Sequence, residues 1–213
     1  MRATAPARAP RETRRTRRVM GVPRRVFHLI AGSIFPTALL FLPIWPVLSV
    51  VVFLAVGSII IEIARRRWEP LNRFVVDLLR PLMKDHEQDS VIASTWMLAG
   101  MAIVIGTMPK PVSTLALFCL AVGDPFAALI GQRWGSIRIA ADKTLEGAAG
   151  FLAASLAVGT LVVATKVDTT YGVMALGAAV AALFELWPAR IEDNFKIPIA
   201  GGVAMTVAHH FWA

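Results

Sequence analysis

Three short stretches carry the side chains able to do chemistry. The first runs from Gly123-Asp124-Pro125 through Gly131 to Gly135 and sets one carboxylate, Asp124, inside an apolar run. An ionisable group within a membrane helix costs at least about 2.5 kcal/mol and is by default a sign of function. The second, Lys143-Thr144-Leu145-Glu146-Gly147, opens the next apolar run. A helix start there offers free N–H groups and a positive dipole end to an anion, and Lys143 adds a full charge. The third is Glu185, at the end of a later run, followed by Glu192-Asp193-Asn194 and Pro198. Between the first two lie Arg133 and Arg138. Carboxylates facing cations in this way suit a divalent cation, since Mg²⁺ takes a few protein oxygens and completes its shell with phosphate oxygens. The residues therefore point to a metal–polyphosphate site. It is not a P-loop, because GxxxxGK[ST] does not occur.

Apolar helices must position these groups. Hydrophobic residues make up 56% of the chain, charged residues 17%, and the mean hydropathy is +0.63, which excludes an ordinary soluble domain. Apolar runs of about 20 residues, the length a bilayer needs, fall at 27–43, 44–64, 91–108, 112–130, 146–165, 170–187 and 197–212. Proline-bearing or polar connectors separate them, as at 43–46, 109–111 and 166–170. The expected fold is an all-α polytopic membrane protein of about seven transmembrane helices. Small residues at helical spacing, Ala149, Ala153 and Ala157, then Gly172 and Ala175, are expected to let helix backbones approach. Cys119 falls in an apolar run as the single cysteine, so no intrachain disulfide can form, and it reads as a packing residue.

Charge sets the expected orientation. Of 22 Lys and Arg, 9 lie in the first 25 residues. With the N-terminus cytoplasmic, segments 65–90, 131–145 and 188–196 also fall inside, leaving only Lys110 and Lys166 outside. That asymmetry predicts a cytoplasmic N-terminus and an outer C-terminus in a plasma or inner membrane. The basic residues then read as a membrane-surface anchor rather than a nucleic-acid reader. Residues 1–25 read as a basic, disordered cytoplasmic tail, retained rather than exported at Thr16-Arg17-Arg18, and 26–213 as one transmembrane catalytic domain. The same orientation gathers every acid except Asp168 at the cytoplasmic face, which the topogenic rule does not demand.

Between the second and third runs, residues 68–84 place Leu71, Phe74, Val75, Leu78, Leu79 and Leu82 on one helical face. Asn72, Arg73, Asp77, Arg80 and Lys84 take the other, with Pro70 in the first turn. This is the pattern of a cytoplasmic interfacial helix. Glu62 precedes Arg66 by four residues, the spacing of a helical ion pair. His28, beside Arg24 and Arg25, reads equally as an interfacial or a catalytic histidine, and His86 faces either phosphate or solvent.

Taken in order, Gly123-Asp124-Pro125, Ala127-Ala128, Gly131, Gly135, Lys143-Thr144-Leu145-Glu146-Gly147, Glu185, Asp193-Asn194 and Pro198 resemble the CTP-dependent polyprenol kinase family. That family includes dolichol kinase, phytol kinase and the yeast-type diacylglycerol kinase. Arg24-Arg25-Val26-Phe27-His28 also fits, and the likeness spans about 24–202. An Arg-x-x-Glu expected before the third run stands here as Lys84-Asp85-His86-Glu87, exchanging a guanidinium fork for a point charge. CDP-diacylglycerol synthase is a more distant likeness, and the Lys-Arg pair and histidine of its C-terminal signature are absent.

The resemblance implies transfer of the γ-phosphate of CTP, with Mg²⁺, to a membrane lipid alcohol at the cytoplasmic face. Asp124, Asp193 and Glu146 are the expected metal ligands. Gly131, Arg133, Gly135, Arg138, Lys143, Thr144 and Asn194 are expected to meet the nucleotide. Glu185 or His28 would accept the alcohol proton, giving a catalytic set of Asp124, Lys143, Glu146, Glu185 and His28. A phosphatidate cytidylyltransferase and a non-catalytic transporter or scaffold are the alternatives. Partners would be a lipid acceptor and a nucleotide, not nucleic acid, with a homo-oligomer left open.

Overall fold

The computed structural model describes residues 11–83, 90–140, 143–165, 167–189 and 191–212, with side chains from Val22 onward. Among these residues the chain forms eight helices and no strand. They are α1 (Arg11–Phe41), α2 (Ile44–Arg67), α3 (Glu69–Leu79), α4 (Ala93–Thr107), α5 (Lys110–Trp134), α6 (Leu145–Ala164), α7 (Tyr171–Leu186) and α8 (Asp193–Trp212). All but α3 fall on the seven apolar runs. Three, α2, α5 and α6, are long and apolar enough to cross a membrane, while α4 and α7 are shorter apolar helices. Length and composition thus support crossing for these elements rather than for all seven runs.

Helix α5 is the axis of the bundle. Every residue from Val112 to Ala121 is buried, as expected of a helix apolar all round. It packs most extensively against α6 and also contacts α1, α4, α7 and α8. Cys119 is buried there, and Ser155 of α6 donates to its carbonyl at 3.4 Å.

Close helix approach comes from small residues, but not the expected ones. Ala149, Ala153, Ala157, Gly172 and Ala175 all face outward. The inward positions are Gly123, where a Cβ would lie 2.7 Å from Phe151 and Ser155, and Gly150, where it would lie 2.4 Å from Ile130. Spacing finds a small-residue stripe but not its face, because lipid and core are equally apolar.

Residues 11–25 are helical as the start of α1; arginine ranks among the better helix formers. One further expectation is corrected. The amphipathic helix ends at Leu79 rather than near Lys84, and only Val75 of its apolar face is buried while Phe74 and Leu78 stay exposed. Its apolar face is therefore left largely uncovered.

Glu62 is buried, and its main partner is Arg65 rather than Arg66. The Arg65 Nε donates to Glu62 Oε2 at 2.9 Å, whereas Arg66 stands 3.9 Å away. Arg65 also donates to Asn72 Oδ1 at 2.9 Å and to the carbonyl of Ser90, while the Ile92 N–H donates to Glu62 Oε1 at 3.0 Å. One buried pair thus ties the end of α2 to α3 and to the start of α4. Breaking such a pair from one side leaves a charge without compensation. Glu62→Gln is expected to lower stability by about 3 kcal/mol, read as the loss of thermal unfolding temperature in detergent.

Candidate active site

The turn between α5 and α6 is closed by its own polar groups. The Gly135 N–H bonds the Gly131 carbonyl at 3.1 Å, Leu145 N–H bonds Ile137 O at 2.9 Å, and Arg138 bridges Thr144. Thr144 caps α6, its hydroxyl accepting from the Gly147 N–H at 3.1 Å. The carboxylate of Glu146 turns back over the loop and accepts from the N–H groups of Ser136 and Ile137 at 3.0 and 3.1 Å, and from the Ser136 hydroxyl. This satisfies donors that a turn would otherwise leave to solvent.

The glycines serve the same turn. A Cβ on Gly135 would lie 2.3 Å from Gly131 O and 2.7 Å from Thr144, and one on Gly131 would lie 2.9 Å from the Thr144 hydroxyl. The space left at Gly131 and Gly135 is taken by Thr144. Arg133 is exposed and lies over the Trp134 ring at 5.1 Å, and Arg138 is exposed on the loop.

Lys143, the last loop residue before the cap, reaches across to two other helices. Its Nζ donates to Glu185 Oε1 at 2.9 Å, at the end of α7, and to Asp193 Oδ2 at 2.6 Å, at the start of α8. Lys196, one turn into α8, completes the chain of charges. It is buried, stands 2.9 Å from Asp193 Oδ1 and donates to the Trp187 carbonyl. Asn194 is buried beside them and donates to the Ala93 carbonyl at 3.3 Å, fixing the start of α8 to α4. Three separate segments, the loop before α6 and the facing ends of α7 and α8, are thereby held by one cluster.

Asp124 stands apart in kind. It is half-buried in α5 and makes no hydrogen bond or ion pair among the described residues, yet its charge is close enough to act on Glu185. The other Glu185 oxygen, Oε2, is buried without a hydrogen-bond partner among the described residues. Buried polar atoms are normally paired, so an unpaired carboxylate oxygen near a second carboxylate could take a cation.

Among the described residues no three His, Cys, Asp or Glu side chains converge as a metal-binding group. The expected set of Asp124, Asp193 and Glu146 is therefore not assembled. Glu146 is held by the loop and Asp193 by two lysines, which leaves Asp124 and Glu185 Oε2. Two hard oxygens suit Mg²⁺, which binds through one or two carboxylates with phosphate oxygens completing the shell.

His28 lies elsewhere along the same end of the bundle. It is buried, its Nε2 lacks a hydrogen-bond partner among the described residues, and with Arg24, Ser94 and Asn194 it lines a cavity of about 60 Å³. Asp142 and the Lys84–Glu87 stretch lie outside the described residues. Sequence reasoning passed over Lys196. A lysine three residues after Asp193, at the start of an apolar run, was the available signal.

Burial works against the charge on Lys143, but the carboxylates of Asp193 and Glu185 outweigh it and raise its pKa. A raised lysine pKa gives stability that is complete below the unfolded value, about 10.4, and is lost as pH rises through the folded one. Thermal stability is expected to hold through mildly alkaline pH and to fall only above that value. Lys143→Met should lack this alkaline step in a pH series of unfolding temperatures.

No protein-family model matches the chain, and no solved structure matches it. It is similar to an uncharacterised protein of Rickettsia prowazekii, 23% identical over 190 residues that cover 86% of this chain and 92% of that one. To CTP-dependent diacylglycerol kinase 1 of Saccharomyces cerevisiae it is 25% identical over 214 aligned positions, 86% of this chain and 72% of the relative. With dolichol kinase sec59 of Schizosaccharomyces pombe it shares 30% identity over 95 residues, 40% of this chain and 19% of that protein. Relatives with these names support the resemblance to the CTP-dependent polyprenol and lipid kinases.

Proposed function

We propose that the chain is an integral membrane kinase that moves the γ-phosphate of CTP to the hydroxyl of a membrane lipid at the cytoplasmic face. The observation that carries this reading is Lys143, gripped by Glu185 and Asp193 beside Asp124, which is unpaired among the described residues. The relatives named for CTP-dependent diacylglycerol and dolichol phosphorylation support the choice of donor and of acceptor class. The positive-inside count supports a cytoplasmic N-terminus, an outer C-terminus and crossing by α1, α2 and α4–α8.

Phosphoryl transfer asks mainly for positioning and charge neutralisation, because its transition state is loose. An ammonium group has three donors. Two of those on Lys143 are engaged by Glu185 and Asp193, leaving the third for a phosphate oxygen. Asp124 and Glu185 Oε2 would hold Mg²⁺, which when bound neutralises the phosphates. The acceptor oxygen bonds to the γ-phosphorus as the bond from that phosphorus to the β–γ bridging oxygen breaks, and CDP leaves. Both Glu185 oxygens are then engaged, so the alcohol proton passes to His28, whose buried Nε2 has no hydrogen-bond partner among the described residues. Arg133 and Arg138 stay at the loop surface and would meet the nucleotide from outside.

Incubation of the purified chain with CTP labelled at the α- or the γ-phosphate tests the reaction class. γ-Label in the lipid is expected. α-Label there would instead mean a cytidylyltransferase, and no label with either would favour a transporter or scaffold.

A further inference from the structure

Helices α7 and α8 meet closely along one side only. A Cβ on Gly201 would lie 3.1 Å from both the Ala181 methyl and the Gly177 carbonyl. On the other side they part around an open groove of about 510 Å³, within the size range of lipid- and drug-sized ligand sites. Ala200 and Ala204, four residues apart on α8, are small enough to leave the floor low. Phe184 and Phe195 line the groove, and each is braced edge-on by a tryptophan, Trp187 at 5.3 Å and Trp96 at 5.4 Å. Such edge-to-face pairs fix ring orientation.

Lys196 is the one charged side chain lining this groove among the described residues. Its Nζ bonds Asp193, and Asp193 in turn bonds Lys143. The apolar groove therefore ends at the charged cluster already described. Asp193 and the Trp187 carbonyl together engage two of the three donors on Lys196 and neutralise its charge. Among the described residues an anionic headgroup would find no free cation there, whereas a neutral oxygen could take the remaining N–H.

We propose that the α7–α8 groove holds the hydrocarbon chain of the acceptor, a neutral lipid alcohol, with its hydroxyl at Lys196. This rests on the kinase reading. Lys196 is then a positioning residue that aims the hydroxyl toward the phosphate held at Lys143. With α7 and α8 crossing the membrane as proposed above, a chain would enter the groove from the bilayer without leaving it.

The test uses the full chain in nanodiscs. A diazirine-bearing hexadecanol, photolysed without nucleotide, is expected to label residues 195–204, and Ala204→Trp, which fills the floor, is expected to lose that label. With γ-labelled CTP and dioctanoylglycerol, Ala204→Trp should raise the KM for the lipid tenfold or more and leave the KM for CTP unchanged. Ala200→Leu, a milder filling, should move the lipid KM in the same direction if the tryptophan variant unfolds. Labelling elsewhere, or an unchanged lipid KM in a folded variant, overturns the groove while leaving the kinase in place. Label in the groove with no lipid phosphorylation by the wild-type chain overturns the kinase and keeps the lipid site. Loss of a dimer in Ala204→Trp without any groove label overturns the proposal in favour of a second copy of this chain as occupant.

Discussion

Asp124→Asn is expected to lower lipid phosphorylation on the order of 10²–10³-fold while leaving the fold at wild-type stability. The substitution keeps size and polarity and removes only charge. Asp124 makes no hydrogen bond or ion pair among the described residues, so no structural bond is lost. Its charge acts instead on Glu185, a like charge at close range. Removing it relieves that repulsion, and the unfolding temperature should stay level or rise. The divergence between activity and stability is the signature sought, measured as label transfer from CTP against thermal unfolding of the same preparation. A carboxylate retained for packing would show the reverse, with lower stability and near-normal turnover.

Lys143→Met should damage both. The lysine side chain is 12% exposed and Glu185 only 6%, so the pair is largely withdrawn from water. Removing one partner of a buried pair costs about 3–5 kcal/mol, because the other charge is left without compensation. Asp193 keeps Lys196, which places the expected loss near the lower end, about 3 kcal/mol. Turnover should fall on the order of 10³-fold, since the same ammonium group is the one aimed at phosphate. The double variant Lys143→Met/Glu185→Gln isolates the stability effect. It removes the stranded charge, so part of the stability should return, while turnover stays lost because Glu185 is also taken from the cation site. Recovery of activity with stability would contradict the roles proposed for both residues.

The sequence announced the apolar helices and the amphipathic one because both follow from composition and period. It announced Asp124, Lys143, Glu185 and Asp193 because charge is conspicuous in apolar surroundings. What it left out was direction. Glu146 carries the right chemistry for a metal, but its position beside Thr144 lets it reach the Ser136 and Ile137 amides, and local donors win. Gly131 and Gly135 read as room for a phosphate, while the room is filled by Thr144. Arg65 and Lys196 were passed over: Arg66 offered the familiar four-residue spacing, and Lys196 entered only through the charge count of segment 188–196. Their partners lie partly on other elements, at Asn72, Ser90 and Trp187, and only the folded chain brings these together. The inward face of α6 was equally concealed, since Ala149 and Gly150 are both small and only packing against Ile130 chooses between them.

Electron paramagnetic resonance of Mn²⁺, used in place of Mg²⁺ with CTP, reads the cation site without requiring turnover. Wild-type chain and Glu146→Gln are expected to bind Mn²⁺ in the presence of CTP, and Asp124→Asn is expected to lose that binding. Equal binding by Asp124→Asn, or its loss in Glu146→Gln, would contradict a cation site built from Asp124 and Glu185 at the Lys143 cluster.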